Sequence, residues 1–231
     1  MSSLLHRSRR ALACLAVLTP LVAASAARAD RTDVPAGDGD APMMMQAQAA
    51  MYTPHIPCSE RTIEQPFAAW DDNADYFMIK EGNLGSDAIY DWDFGGGELV
   101  AENNTNSLHP EEESSLSLSE GDSAESPTTC VTVDDPTMRF FVRNTGAETG
   151  TLSVDAVYLD ENLEEQVYHL GTLTSEDAGN EWAPSPVLEL AAPLVELLED
   201  GETPIALRFT ADGEGSSWLV DDVYVDPYGK G

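Results

Sequence analysis

The run Ser115-Leu116-Ser117-Leu118-Ser119 alternates strictly, with its leucines on one side and its serines on the other. A repeat of two gathers the apolar atoms on one face only when the backbone is extended, so the run fits a strand with one buried face and fits no helix. The pattern recurs between Thr151 and Leu159, where Leu152, Val154, Ala156 and Tyr158 oppose Ser153, Asp155 and Val157. Tyr76 to Ile79, Glu98 to Ala101, Met138 to Arg143, Gln166 to Leu173, Ile205 to Thr210 and Trp218 to Val225 are further short β-rich runs. Gly, Asn, Asp and Pro punctuate them, as in the turn Asn144-Thr145-Gly146. Such spacing predicts an all-β chain folded as an antiparallel β-sandwich. One short helix is expected from Pro193 to Asp200, with Leu194, Leu197 and Leu198 on one face and Gly201 after its end. Its late acids Glu196, Glu199 and Asp200 oppose the helix dipole.

The N-terminus follows other rules. Arg7, Arg9 and Arg10 precede an apolar stretch from Ala11 to Ala27, and Ala27-Arg28-Ala29 forms an A-x-A cleavage site before Asp30. This is the layout of an export signal, with an apolar part too short for a stop-transfer helix. Ser8-Arg9-Arg10-Ala11-Leu12-Ala13 also matches the twin-arginine pattern, while the ordinary secretory route fits equally. The expected organisation is a signal peptide over 1–29, a disordered linker over 30–57, the sandwich over 58–228 and a tail over 229–231. The expected address is extracellular, with no membrane span.

Removing the signal sharpens the charge. Of 11 basic residues, Arg7, Arg9, Arg10 and Arg28 lie before Asp30 and none of the 42 acidic ones does, which leaves seven against 42, a formal charge of −35. That field repels nucleic acid and anionic surfaces. Adaptation to a salty or acidic habitat accounts for such an excess as readily as a binding role does.

Cysteine usage adds a staple. Cys14 leaves with the signal, so Cys58 and Cys130 remain in an oxidising compartment and are expected to pair. The loop between them, about 70 residues, makes the bridge worth on the order of 4 kcal/mol in the chain-entropy account.

Two stretches carry a family resemblance. Trp218-Leu219-Val220-Asp221-Asp222-Val223-Tyr224-Val225 resembles the closing strand of galactose-binding-like jelly rolls, and Gly82-Asn83-Leu84-Gly85 with Trp92 and Gly95-Gly96-Gly97-Glu98-Leu99-Val100 resembles their opening. Arg139 to Gly146 and the ending Asp221-Asp222-Val223-Tyr224-Val225-Asp226-Pro227-Tyr228 are also similar to a group of secreted actinobacterial proteins. The resemblance implies a jelly-roll sandwich of the kind found in carbohydrate-binding modules. It also implies a structural calcium (Ca2+) between opening and closing strands. Asp222, or Asp221, would supply one acid; Leu84-Gly85 replaces the usual acidic element, so Glu81 or Asp87 would have to supply the other.

Aromatic rings are the other candidate ligand groups, because planar rings stack on the apolar faces of sugars. Among Trp70, Trp92, Trp182 and Trp218, the last opens a strand and reads as core. Trp92 between Asp91 and Asp93, and Trp182 beside Glu181, have the polar surroundings of a binding site. Carboxylate pairs abound, but 42 acids supply them by number alone, so they do not single out a glycosidase. No G-x-S-x-G motif occurs, and His55, His109 and His169 are scattered, so no catalytic residue is nominated. Three readings follow, in order: an extracellular polysaccharide-binding module without catalysis, an acidic structural or surface-associated protein, and a hydrolase.

Overall fold

The computed structural model describes residues 61–227 except 86, 87, 89, 161 and 191–200. The export segment, the linker, Cys58, Asp87 and the helix expected at 193–200 lie outside the described residues.

Short extended segments alternate with turns throughout. In chain order they are β1 (Ile63–Glu64), β2 (Tyr76–Met78), β3 (Asp93–Gly95), β4 (Glu98–Val100), β5 (Ser115–Ser119), β6 (Ser123–Glu125) and β7 (Thr129–Val131). Then follow β8 (Thr137–Asn144), β9 (Thr151–Leu159), β10 (Glu165–Leu173), β11 (Ala183–Pro184), β12 (Leu188–Glu189), β13 (Thr203–Asp212) and β14 (Ser217–Asp226). A 3₁₀ turn, Ala68–Trp70, precedes β2. The strands pair antiparallel into two sheets. One holds eight strands, with the path β1-β2-β14-β5-β4 and with β8, β11 and β12 joined to it through β14. The other holds six, with the path β10-β9-β13-β6-β3 and with β7 on β13.

Alternation explains the core between them. Leu152, Val154 and Ala156 of β9 and Leu207, Phe209 and Ala211 of β13 line one side of a buried cluster. Leu116 and Leu118 of β5, Phe140 and Val142 of β8, and Trp218 and Val220 of β14 line the other. Removing these side chains from water is the main force closing the sandwich.

The larger sheet is covered on its outer face too. Phe67, Tyr76, Phe141, Trp182, Leu219 and Tyr224 form a second buried cluster there. This layer explains a departure from the simple pattern: Ser115, on the face expected to be polar and wet, is fully buried. Nearly all of β14 is buried for the same reason.

β14 also changes partner midway. Ser217–Val220 pairs with β5, and Tyr224–Val225 pairs with β2, while β8 runs along the opposite edge. The register with β8 shifts between Asp221 and Tyr224, and Asp222 sits there at φ 47°. A left-handed residue in a strand is the mark of a bulge, which re-aims the side chains on either side.

Candidate functional site

The tryptophans singled out from the sequence are buried. Trp92 is 5 % exposed, stacks on Phe209 with ring centres 6.2 Å apart, and donates its indole N–H to the Glu81 carbonyl at 3.0 Å. Trp182 is 8 % exposed within the outer cluster, and its buried indole N–H has no hydrogen-bond partner among the described residues. Neither presents a ring face to solvent, which stacking on a sugar requires. Their polar sequence neighbours point outward while the rings turn in, a choice made by the layer that covers the sheet. Trp218 is core, as expected, with its indole N–H on Ser216 Oγ at 2.9 Å. Trp70 differs. It ends the 3₁₀ turn 38 % exposed, braced edge-on against Phe141 at 5.5 Å.

Asp221 and Asp222 face inward and act as a clasp. Asp221 Oδ2 accepts the Asn104 backbone N–H at 2.9 Å, and Oδ1 accepts the Asp222 backbone N–H at 2.9 Å. Asp222 Oδ2 accepts from Asn104 Nδ2 at 3.1 Å. Together they pin the segment around Asn104 onto the β14 bulge. Burial, and next the charge of Asp222, push the Asp221 carboxyl up to about 8, against the pull of its two backbone hydrogen bonds. Burial raises Asp222 as well, opposed by hydrogen bonds from Ser107 and Asn104.

Of the acids named for a structural calcium, Asp222 stands in this clasp, and Asp87 lies outside the described residues. Both Asp221 oxygens accept amide protons. Glu81 stands at a left-handed turn, φ 53°, where its carbonyl serves Trp92. Among the described residues, no group of three or more His, Cys, Asp or Glu side chains is arranged to hold a metal ion.

A concave feature lies on the outer side of the eight-stranded sheet. It is an open cleft of about 540 Å³, lined by the polar residues Asp71, Asp72, Tyr76, Arg139, Glu189 and Asp226 and by Pro136 and Val187. Arg139 is the pivot. Its Nε and Nη2 both donate to the Ser185 carbonyl, at 2.9 and 2.7 Å, and Nη1 donates to Asp72 Oδ2 at 2.8 Å. The guanidinium also lies 4.7 Å from the centre of the Phe67 ring. Asp72 accepts in addition from Tyr76 OH at 2.8 Å and from the Ala74 backbone N–H at 3.1 Å. The polar groups are therefore held in fixed orientations before any ligand arrives. Asp71 and Glu189 extend exposed carboxylates at the rim, and Val187 adds an exposed apolar side chain.

Sequence reasoning treated Arg139 as part of a strand and Asp72 as one acid among many. Basic residues are scarce in this chain, so an arginine on a strand flanked by aromatics was a signal available to it. The partnership itself spans 67 positions and is invisible without the fold.

Among the described residues no helix is long and apolar enough to cross a membrane. No family model matches the chain, and no curated protein matches it. Solved structures with a similar fold do exist, and they include carbohydrate-binding modules. The chain is similar to the xylanase 10B carbohydrate-binding and catalytic modules of Clostridium thermocellum, complexed with xylohexaose, at 22 % identity and TM-score 0.41 over 58 % of this chain. It spans about a quarter (26 %) of that structure's length. The xylan-binding domain of Paenibacillus barcinonensis Xyn10C is 12 % identical, TM-score 0.40, over 59 % of this chain and 85 % of that one. The C-terminal module of a laminarinase from Zobellia galactanivorans is 14 % identical, TM-score 0.37, over 60 % of this chain and 94 % of that one.

Proposed function

We propose that this protein is an exported binding module whose ligand is a neutral extracellular polysaccharide, taken into the cleft around Asp72 and Arg139. The observation that carries the reading is the preset array of Asp72, Tyr76 and Arg139 in the cleft, with the 38 % exposed Trp70 one residue before the cleft residue Asp71. Carboxylates and a guanidinium offer acceptors and donors for sugar hydroxyls, and an indole face offers the apolar contact. Fixed polar groups bind at a smaller entropic cost than mobile ones. The net charge of −31 argues against an anionic polymer. The likeness in sequence to galactose-binding-like jelly rolls is consistent with this reading. Native gels cast with soluble neutral polysaccharides test it: a retarded full chain supports binding, and unchanged migration on every polymer opposes it.

A second reading, an acidic structural protein without a small-molecule site, is favoured by the burial of Trp92, Trp182 and Trp218. It predicts no retardation on any of the gels.

A further inference from the structure

A different cluster lies on the outer face of the six-stranded sheet, on the opposite side of the sandwich from the cleft. Asp155 on β9 and His169 on β10 are cross-strand partners, and His169 Nδ1 stands 2.8 Å from Asp155 Oδ1. On the other side of the same ring, His169 Nε2 stands 3.0 Å from Thr172 Oγ1. One imidazole thus links a carboxylate to a hydroxyl, each through a different nitrogen.

The backbone makes this possible. Residues three apart on a regular strand point to opposite faces. Between His169 and Gly171 the register with β9 shifts by one, and Leu170 is left without a partner. This bulge resets the alternation, so His169 pairs with Asp155 while Thr172 pairs with Ser153, all on the outer face. The hydroxyl and the imidazole meet because of the irregularity.

The surroundings suit a proton relay. The Asp155 side chain is 18 % exposed and His169 55 % exposed, so the acid is sheltered and the base reachable. Thr172 is exposed as well. Arg208, opposite Asp155 on β13, is occupied by Glu125 at 2.7 Å and Glu165 at 3.0 Å, which keeps its charge from competing for Asp155. Ser153 Oγ, beside Thr172, is turned to Asp212 Oδ2 at 3.2 Å and does not take the imidazole.

We propose that Asp155, His169 and Thr172 form a nucleophilic site acting on small, unhindered acyl esters. Asp155 accepts a hydrogen bond from His169 Nδ1–H and so sets the tautomer that leaves Nε2 free to take a proton. Thr172 Oγ1 attacks the ester carbonyl carbon while its proton passes to Nε2. The tetrahedral adduct collapses, breaking the bond to the alcohol oxygen, and the alcohol leaves with the Nε2 proton. Water then attacks the acyl-threonine with Nε2 again as base, releasing the acid and restoring the hydroxyl. One ester and one water give one acid and one alcohol. The position is open to solvent, which suits esters, whose alcohol leaves readily, better than amides.

The test uses p-nitrophenyl acetate with the full chain, following nitrophenolate release and, by peptide mass spectrometry after rapid quenching, acetylation of Thr172. Thr172→Val is expected to lower turnover by about a hundredfold or more, the low end of what base-assisted attack contributes. His169→Ala should do the same, while Thr172→Ser keeps or exceeds the rate. Acetyl on the Thr172 peptide, absent in His169→Ala, supports the site. Unchanged turnover in Thr172→Val with loss in His169→Ala overturns it, because the imidazole is then acting alone. Absence of an acetylated Thr172 peptide also overturns it. Should Thr172→Val fold poorly by its melting temperature, the comparison of wild type with Thr172→Ser and the acetylation map decide the matter. Polysaccharide retention does not enter this test, so the two sites stand or fall separately.

Discussion

Arg139 Nη1 donates to Asp72 Oδ2 at 2.8 Å, tying β8 to the segment that leads into β2. Burial alone would raise the Asp72 carboxyl, but hydrogen bonds from Tyr76 and Arg139 hold it below the usual carboxylate value. Burial and the neighbouring Asp72 push the Tyr76 phenol well above its ordinary range. Asp72 therefore stays ionised and Tyr76 protonated at neutral pH. The cleft keeps one arrangement of donors and acceptors there.

That arrangement depends on the fork of the guanidinium. Arg139→Lys keeps the charge but cannot span both the Ser185 carbonyl and Asp72. It is expected to weaken polysaccharide binding by about tenfold or more, the cost of one misplaced charged hydrogen bond. Arg139→Ala removes the partner of a largely sheltered carboxylate and should also lower stability, by about 3 kcal/mol. Urea unfolding and affinity gels on the two variants separate these effects: loss of stability without loss of binding in Arg139→Lys would remove Arg139 from the site.

The Asp221 carboxyl makes stability depend on pH in a defined direction. The unfolded chain loses this proton near 3.8, whereas the folded protein keeps it up to about 8. Between those values the folded state binds more protons, so this group's contribution to stability falls as pH rises from about 4 to about 8 and adds no slope outside that window. Asp72 acts the other way and only in acid: its contribution is present above the unfolded value and is lost as pH falls through the lowered folded value. Asp221→Asn should melt lower at pH 5, because one of its two backbone donors meets an NH₂ group in place of an oxygen. The variant should also show a shallower decline in melting temperature between pH 5 and 8. Parallel decline in both proteins would show that Asp221 is ionised in the fold.

We propose that Cys130 pairs with Cys58, which lies outside the described residues. Arg61 forks onto Asp135 at 2.7 and 2.8 Å and donates to the Cys130 carbonyl at 3.0 Å, which brings the chain just after Cys58 against β7. Cys58→Ser is expected to lower stability under oxidising conditions by about 2–4 kcal/mol. Thiol titration of the unfolded, unreduced mature protein should find no free cysteine; two free thiols would exclude the bridge.

Gly146 sits where two hairpins touch. A Cβ there would press against the Ser217 backbone nitrogen and the Gly215 carbonyl, both fixed by the β13–β14 turn. Gly146→Ala should therefore cost about 1–3 kcal/mol, because backbone cannot move aside as a flexible side chain does. A denaturant midpoint equal to wild type would show that the turn relaxes freely.

The sandwich was legible because its inner faces obey a period of two: the expected limits of Ser115 to Ser119 and Thr151 to Leu159 coincide with β5 and β9. Strands of two or three residues, such as β1, β7 and β11, are too short to show any period. The outer layer was the larger omission. Phe67, Trp182 and Tyr224 meet from distant parts of the chain, so the sequence offers no local sign that Trp182 is covered or that Ser115 is dry. The cleft escaped notice for the same reason, since Asp72, Arg139 and Glu189 converge only once that layer is in place. The relay on the smaller sheet depends on a bulge at Leu170, and one displaced residue leaves the composition of the strand unchanged.

The central claim is that a neutral polysaccharide occupies the cleft beside Trp70. Among the described tryptophans Trp70 is the half-exposed one, so its emission should respond to a ligand that leaves Trp92, Trp182 and Trp218 untouched. Intrinsic fluorescence of the mature protein, titrated with a panel of soluble neutral polysaccharides, tests this most directly. The account predicts a saturable change with at least one polymer, absent in Trp70→Phe, and binding weakened about tenfold in Trp70→Ala. No change with any polymer, or a change that survives in Trp70→Phe and Arg139→Lys alike, would contradict it.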